Sequence, residues 1–579
     1  MYHHSMAHFH TKKKKGRPYL YVREIARVNG RPKVVWQRYI GSPERVVSLL
    51  DDQGGGDVKL AVEEFGALWA ANKMDEDVKL VSIVDQVVPS NSREKGPSVG
   101  EYFLYAVLNR MVDATSKRAL PDWYEGTAIQ SIRPVDTEAL TSQRYWAKWD
   151  RVSTEAVEEI GRRFFKRIWE LEQPSADCVM FDTTNYYTFM ASDTTSELAQ
   201  RGHNKAGRHN LRQVGLGLLV ARNSRLPLYY SVYPGNRHDS KELGRILDEM
   251  FGVVVGLDRT KERLTVVVDK GMNSDDNFAW LDEHSRVHFV TTYSPYFAKD
   301  LAATPLDKFE PISTAKNRQL TEDGYGYDRM TAHRTSGEFW GKERTVVVTH
   351  YPPTARKQSY TFENKIDHLR DELLAMREKV NSDAPHWRDA EKVRERYQRL
   401  CEHLHISSTY YSLRFKKHGK RIKMGFRKDQ YRVLRKLQTF GKTIIVTDNK
   451  DWTTEEIVEA HLARWEVENS FRQSKNDDLV CTRPLRHWTD SKIRCHLLAC
   501  VIALTYLRRL ELKLAAKGVN RTAADAMKDL NRLHSVLSIH GKSRKPHRAI
   551  EQPSKTQAEV LHALGYHISN SGVLQPSHP

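Results

Sequence analysis

The strongest constraint on the fold is a succession of short apolar runs after Asp177. They are "CVMFD" (178–182), "LRQVGLGLLVA" (211–221), "LPLYYSVYPGN" (226–236), "LTVVVD" (264–269) and "VHFVTTY" (287–293). The first three are spaced for hairpin pairing. Helical stretches near Lys241–Phe251 and before Val287 separate the rest, a rhythm that predicts a mixed sheet with helices on its faces. The rhythm resumes at "KTIIVTDN" (442–449), followed by a long helix from about Thr454 through Lys475 and another from Asp490 to Leu512.

Chemistry-bearing residues fall at the ends of these runs. Asp182 closes "CVMFD" and Asp269 closes "LTVVVD", so each carboxylate leaves the carboxyl end of a core strand. If the two strands are neighbours, the acids emerge side by side, an arrangement that is costly unless cations neutralise it. Hard divalent ions, Mg²⁺ or Mn²⁺, suit such oxygen donors. An Asp at a strand end is also a common turn or cap residue. In "HLARWEVENSFRQSK", His461, Arg464, Glu468 and Lys475 lie at offsets of zero, three, seven and fourteen. On a continuous helix they share a stripe roughly 60° wide and about 21 Å long. That spacing equally describes salt-bridge decoration of a solvated helix.

Charge narrows the partners. Lys and Arg outnumber Asp and Glu by 92 to 73 over 579 residues, a formal net charge of +19. Clustered cations favour a polyanion by displacing its counterions. The five cysteines include no C-x-x-C pair, against a disulfide scaffold or thiolate zinc site. His203, His209 and His238 are too unevenly spaced to make a convincing zinc site. The start of the chain has no secretory pattern, and the longest apolar run, Leu497–Leu507, is too short to span a bilayer and reads as a buried helix. No membrane partner is expected.

Taken together, "CVMFDTT", "VVVDKGM", "IIVTDN", "HLARWEVENSFRQSK" and "RPLRHWTDSKIRCHLLACVIAL" resemble the DDE transposases of bacterial insertion sequences. The subgroup is the one with a Tyr, Arg, Glu, Lys signature at those offsets and an RNase H-like catalytic core. "GHNKAGRHNLRQ" and "PGNRHDSKEL" also resemble segments between that family's two aspartates. The resemblance implies catalytic, metal-holding roles for Asp182, Asp269 and Glu468, and DNA contact by Arg464 and Lys475. His461 stands where the signature has Tyr and takes the corresponding DNA-facing place. Two divalent ions, Mg²⁺ or Mn²⁺, are implied, with transposon terminal inverted repeats and target DNA as partners. So are a homodimeric paired-end complex, cut-and-paste excision through a hairpin, and a cytoplasmic, nucleoid-associated setting in a bacterium. Trp340 is a candidate for stabilising a flipped base, against the ordinary reading of a packed strand tryptophan.

The expected organisation is an N-terminal α+β DNA-binding region (1–175), a first part of an α/β RNase H-like core (176–295), an α+β insertion (296–441), a second part of the core (442–515) and a C-terminal region (516–579). The first contains a hairpin around Asn29-Gly30 and helices near Glu101–Met111 and Thr154–Glu170. Lys12–Lys15 read as a solvated arm or as a DNA contact. In the insertion, "GEFWGKERTVVVTHY" reads as a strand pair. Ile366, Leu369, Leu373, Met376 and Val380, then Val393, Tyr397, Leu400 and Leu404, predict two packed helices. Arg414–Lys436 is a basic series interleaved with Phe415, Phe426 and Tyr431, suited to a nucleic-acid backbone. The C-terminal region is helical at first, and its end is expected to be loosely structured. Two other functions fit the same residues: an RNase H-like nuclease without strand transfer, and a transposase-derived DNA-binding protein without catalysis.

Overall fold

The computed structural model describes the chain except residues 1–7, 15–16, 29–30, 42–57, 91–95, 176, 191–193, 203–206, 208–209, 238–243, 245–248, 250–262, 285, 383, 420, 477–478, 483–484, 541–546 and 578–579. The three histidines weighed for zinc, the Asn29-Gly30 turn and nearly all of the Lys241–Phe251 stretch lie outside the described residues. Two compact units result, Met1–Leu171 with Asp193–Thr195 and Gln473–Pro579, and Glu172–Ser192 with Ser196–Arg472.

In the first unit His8–Lys14 (β1), Arg17–Val28 (β2) and Arg31–Gly41 (β3) form an antiparallel sheet. The expected hairpin is the β2–β3 pair. Lys12 to Lys14 are strand residues opposite Tyr19, Pro18 and Arg17, not a loose arm. The β-rich run from Tyr19 gives them a ladder to join. Helices form at Val99–Val112 and Thr154–Glu172. The first opens with a reciprocal cap: Ser98 Oγ accepts from Glu101 N–H at 3.1 Å, and the Glu101 carboxylate accepts from Ser98 N–H at 2.8 Å. The Leu497–Leu507 run is buried throughout, within the helix Asp490–Ala516. Among the described residues no helix is long and apolar enough to cross a membrane. The end of the chain is folded rather than loose, with helices Ala523–Leu530 and Lys555–Ala563 and strands His534–His540 and His547–Ile550, the former paired with Val58–Glu64 (β4). A few apolar positions at helical spacing, Ala526, Met527, Leu530, Val560 and Leu561, are buried despite the polar composition around them.

The second unit is built on one large sheet. Cys178–Thr188 (β5) pairs antiparallel with Arg212–Ala221 (β7), which pairs antiparallel with Pro227–Pro234 (β8); the short Gln200–Arg201 (β6) also borders β7. On its other side β5 runs parallel to Leu264–Val267 (β9), and β9 parallel to Val287–Tyr293 (β10). Three antiparallel strands continued by two parallel ones, with flanking helices, are the RNase H-like α/β class expected from the sequence.

The sheet does not stop at β10. Glu310–Pro311 (β11), Thr331–Phe339 (β12) and Lys342–His350 (β13) extend it, joined through a strand that arrives much later, Lys442–Thr447, antiparallel to both β10 and β13. The strand pair read in "GEFWGKERTVVVTHY" is thus part of the main sheet. Between His350 and Lys442, which face each other in the ladder, hangs a module. It contains helices Pro352–Asn381 and Ala390–His403, a two-stranded ribbon of Tyr411–His418 (β14) and Arg421–Lys428 (β15), and the helix Gln430–Leu437. The Lys442–Thr447 strand is β16. Ile366, Leu369, Leu373, Met376 and Val380 meet Val393, Tyr397, Ile422 and Met424 in one buried core, with Leu400 and Leu404 at its margin. At the neck Tyr351 N–H donates to Gly441 C=O at 2.8 Å. Gly441 has φ +70°, and a Cβ there would stand 2.6 Å from Ala355 Cβ, so only glycine fits.

Candidate active site

Asp182 and Asp269 are brought together by parallel pairing. β5 and β9 are in register up to Met180 opposite Val267, so Asp182 and Asp269 are each two residues further along neighbouring strands. Their sequence contexts differ from the expectation in one respect. β5 runs on past Asp182 to Thr188 because β7 pairs with its whole length, whereas β9 ends at Val267 and the chain turns off at Asp269 into the 3₁₀ turn Lys270–Met272. The edge of β5 beyond Met180 is therefore left by its parallel neighbour, and a crevice at the carboxyl ends of strands is the usual ligand position in such sheets. Asp182 Oδ1 accepts from the N–H of Thr183 at 2.8 Å.

The turn after Asp269 is anchored on several sides. Met272 N–H donates to Asp269 C=O at 2.9 Å. Asn273 Nδ2 donates to Thr292 C=O at 3.0 Å and its Oδ1 accepts from Thr291 Oγ1 at 2.8 Å. The helix that follows, Asp275–Glu283, is capped by Ser274 and pinned by Asp282, which takes both hydrogen bonds from Nη2 of the buried Arg344 at 2.7 and 2.8 Å. These partners come from β10 and β13 and are not visible in the sequence.

Trp340 occupies the two-residue turn between β12 and β13, with φ +51° followed by Gly341 at +72°. Positive φ at both positions is the hairpin geometry that matches strand twist, and it favours Asn and Gly rather than Trp. The indole stacks on Phe278 at 3.5 Å between ring centroids and lies edge-on to Phe289 and Tyr293. It is a packed residue that holds the Asp275–Glu283 helix.

The expected long helix is two helices, Thr454–Ala463 and Trp465–Ser474, divided at Arg464. The first begins with a capping box of Thr453 and Glu456. At the break the backbone tightens: Arg464 N–H donates to His461 C=O, and Val467 N–H to Arg464 C=O, both at 3.2 Å and both three residues back. The single stripe through Lys475 presupposes one continuous helix, whereas the helix is interrupted at Arg464 and its second segment ends at Ser474. The contacts of Arg464 are more telling. Arg464 Nη1 is 2.8 Å from Asp269 Oδ1 and Nη2 is 3.0 Å from Glu468 Oε1. One guanidinium thus joins two of the three acids. His461 lies one turn earlier and is largely shielded; burial, helped by the Arg464 charge and opposed by Asp269, pushes it down to about 4. Its imidazole is neutral at pH 7 and can donate one hydrogen bond. Lys475 lies in the other compact unit.

Asp448, of the "IIVTDN" run, accepts from Phe289 N–H at 2.9 Å and pairs with His288 Nδ1 at 3.0 Å, locking the end of β16 to β10. The apolar stripes of the Ile366–Leu404 helices and of the helix after Asp490 are buried within the chain itself.

The donor set suits a hard cation, being carboxylate oxygen only and gathering positive charge already at Arg464. Among the described residues no group of three or more His, Cys, Asp and Glu side chains is placed to hold a metal ion, and Arg464 pairs with both Asp269 and Glu468.

The family model described as Transposase DDE domain matches residues 187–506, beginning just after Asp182 and including Asp269, Arg464, Glu468 and Lys475. A cryo-EM structure of piggyBac transposase in a synaptic complex with hairpin DNA is similar at a TM-score of 0.36 and 9% identity, over 80% of this chain and 79% of that one. No curated protein sequence matches significantly.

Proposed function

The chain belongs to the Transposase DDE domain family, and from that premise we propose that it cuts DNA at the ends of an insertion sequence and joins the freed 3′ ends to target DNA. The observation that carries the reading is the joining of Asp182, Asp269 and Glu468 into one locality by strand register and by Arg464.

In this reading Asp182, Asp269 and Glu468 would hold two divalent ions, Mg²⁺ or Mn²⁺, whose chemistry would be activation of a water or 3′-hydroxyl and stabilisation of the leaving oxygen. The chain's own residues do the rest. Asp182 and Asp269 are set by the sheet and its anchored turn, so their positions are fixed before substrate arrives. Arg464, which bridges Asp269 and Glu468, would turn its guanidinium to a phosphate near the cut if those acids held metal. Neutral His461 contributes a hydrogen bond but no charge. Lys475 contacts phosphate, a role resting on the family signature. The N-terminal region to about residue 175 recognises the terminal inverted repeats, and two copies pair the ends so that both are cut together. Excision by cut-and-paste through a hairpin, in the nucleoid of a bacterial cell, completes the proposal.

The test is cleavage and strand transfer with Mg²⁺ on DNA carrying the inverted repeats that flank the gene, comparing wild type with Glu468→Gln. Cutting and joining by wild type, with binding alone by the variant, supports the reading. Binding without cutting in Mg²⁺ or Mn²⁺ replaces it with a non-catalytic DNA-binding protein, and cutting without joining replaces it with a nuclease.

A further inference from the structure

The β14–β15 ribbon has two unlike faces, set by its register: Ser412 faces Arg427, Arg414 faces Gly425, Lys416 faces Lys423 and His418 faces Arg421. Tyr411, Leu413 and Phe415 of one strand and Ile422, Met424 and Phe426 of the other turn inward onto the helical pair. Asn381 fixes the ribbon at its middle, accepting from Met424 N–H at 2.8 Å. Arg394 and Arg377 cover the margins, 4.9 Å from the Phe415 ring and 5.5 Å from the Phe426 ring.

The outward face carries Arg414, Lys416, Arg421, Lys423 and Arg427, all exposed, and no carboxylate. Elsewhere on this module surface arginines are matched with acids, as in Arg394 with Glu391, Arg399 with Glu395 and Arg432 with Asp429. Like charges directly across a ladder, as at Lys416 and Lys423, destabilise a ribbon. The Lys416–Lys423 pairing costs the ribbon stability, so the use of this face lies outside the chain.

We propose that the outward face of β14–β15 docks duplex DNA through its phosphates, using residues other than the carboxylate site. The inference rests on the reading that the chain acts on DNA. Three properties select the partner. A cationic face to which neither strand contributes an acidic residue calls for a polyanion. The aromatic rings point inward, so the face offers no platform for unstacked bases, which a single strand would require. No large apolar side chain faces outward either, as a lipid surface would need. An eight-residue ribbon is about 27 Å long and its strands about 5 Å apart, dimensions that follow a duplex backbone or enter a major groove about 12 Å wide.

The test uses the full chain in EDTA, with binding followed by fluorescence anisotropy across a salt series on terminal-repeat duplex, unrelated duplex and single strand. The variant is R414Q/K416Q/K423Q/R427Q; the charge-matched control R370Q/R394Q/R399Q/R432Q removes paired arginines of the same module. Circular dichroism melting checks that both remain folded. The expected result is a log K against log salt slope shallower by about 3 to 4 for the ribbon variant on duplex, at about 0.9 per lost phosphate contact. The control keeps the wild-type slope. Equal loss on both duplexes assigns the face to duplex DNA in general; loss on the repeat alone assigns it to transposon ends, and on the unrelated duplex alone to target. An unchanged slope, a loss equal to that of the control, or a loss on single strand only overturns the proposal, while cutting by wild type still upholds the function. Failure of wild type to bind any DNA overturns both.

Discussion

Arg464 and Asp269, far apart in the chain, are in direct contact, Nη1 to Oδ1 at 2.8 Å. The same guanidinium reaches Glu468 at 3.0 Å. An arginine that neutralises two acids competes with any cation those acids are to hold. Arg464→Met removes the competitor and leaves two repelling carboxylates, so the melting temperature of the variant responds more steeply to added Mg²⁺ than that of wild type. In metal-free buffer the stability cost is small, within about 1 kcal/mol, because both acids are partly exposed. Strand cleavage falls by at least about tenfold, as a lost charged contact to a reacting phosphate implies. Thermal shift titrations with Mg²⁺ decide it; equal responses in variant and wild type refute the competition. Arg464→Lys keeps the charge but not the two-pronged geometry and should fall between the two.

His461 sits below its ordinary value of 6.5, pushed down to about 4. Between those limits the unfolded chain binds the proton that the folded one refuses. The stability involved is therefore intact above about pH 6.5 and is lost as pH falls from there toward 4. His461→Gln should flatten that acid limb in melting curves taken from pH 7 to pH 4. Cleavage between pH 6.5 and 8 should show no inflection that the substitution removes. A charge change of His461 near neutral pH, seen by NMR, would contradict this.

Trp340 combines an unfavourable backbone with a close stack on Phe278. Trp340→Gly relieves the first and loses the second, and the loss of packing dominates at about 1–3 kcal/mol net. The effect should be local, with faster hydrogen exchange in the helix Asp275–Glu283 and a lower melting temperature. A variant more stable than wild type would mean that the stack holds nothing.

Lys117 is buried, and its amine, without a hydrogen-bond partner among the described residues, lies over the rings of Tyr145 and Trp149 at 5.2 and 5.6 Å. Burial, with Arg110 nearby, pushes it well below the usual lysine range. Between its lowered pKa and 10.5 the folded chain binds fewer protons than the unfolded one, so the stability this burial costs returns as pH rises toward 10.5. Lys117→Met, of similar volume, should stabilise by roughly 1–3 kcal/mol at pH 7. Denaturant midpoints of the two proteins should converge toward pH 10; a less stable variant at pH 7 would show the amine to be useful.

Much of this was legible because local pattern and tertiary role agreed. Apolar runs became β5, β7, β8, β9 and β10, and the spacing from Ile366 to Val380 became a buried stripe. Asp182 and Asp269 were marked by closing apolar runs, although β5 continues past Asp182 to Thr188, and parallel pairing of β5 with β9 put them at matching positions. What stayed hidden depends on contacts between distant segments. Nothing local reveals that Arg464 reaches Asp269, that Arg344 holds Asp282, or that β12 and β13 extend the main sheet. The break at Arg464 has no proline or glycine to announce it. The basic series from Arg414 was visible, but only strand register showed Phe415 and Phe426 turned inward and Arg414, Lys416, Arg421, Lys423 and Arg427 outward, while Tyr431 stands exposed on the helix that follows.

The neck at Gly441 has a consequence for how such a chain tolerates change. Because His350 and Lys442 are ladder partners and Tyr351 closes onto Gly441, everything from Pro352 to Phe440 is, topologically, one hairpin loop. The entropy of closing a loop rises only logarithmically with its length, each doubling adding about 0.6 kcal/mol. The five to six doublings that separate a two-residue turn from this segment add about 3 kcal/mol for a flexible chain, and a module that folds with its ends together adds less. Excising the module and grafting it elsewhere are both open to experiment at this junction, and the sheet that sets Asp182 and Asp269 would register little of either.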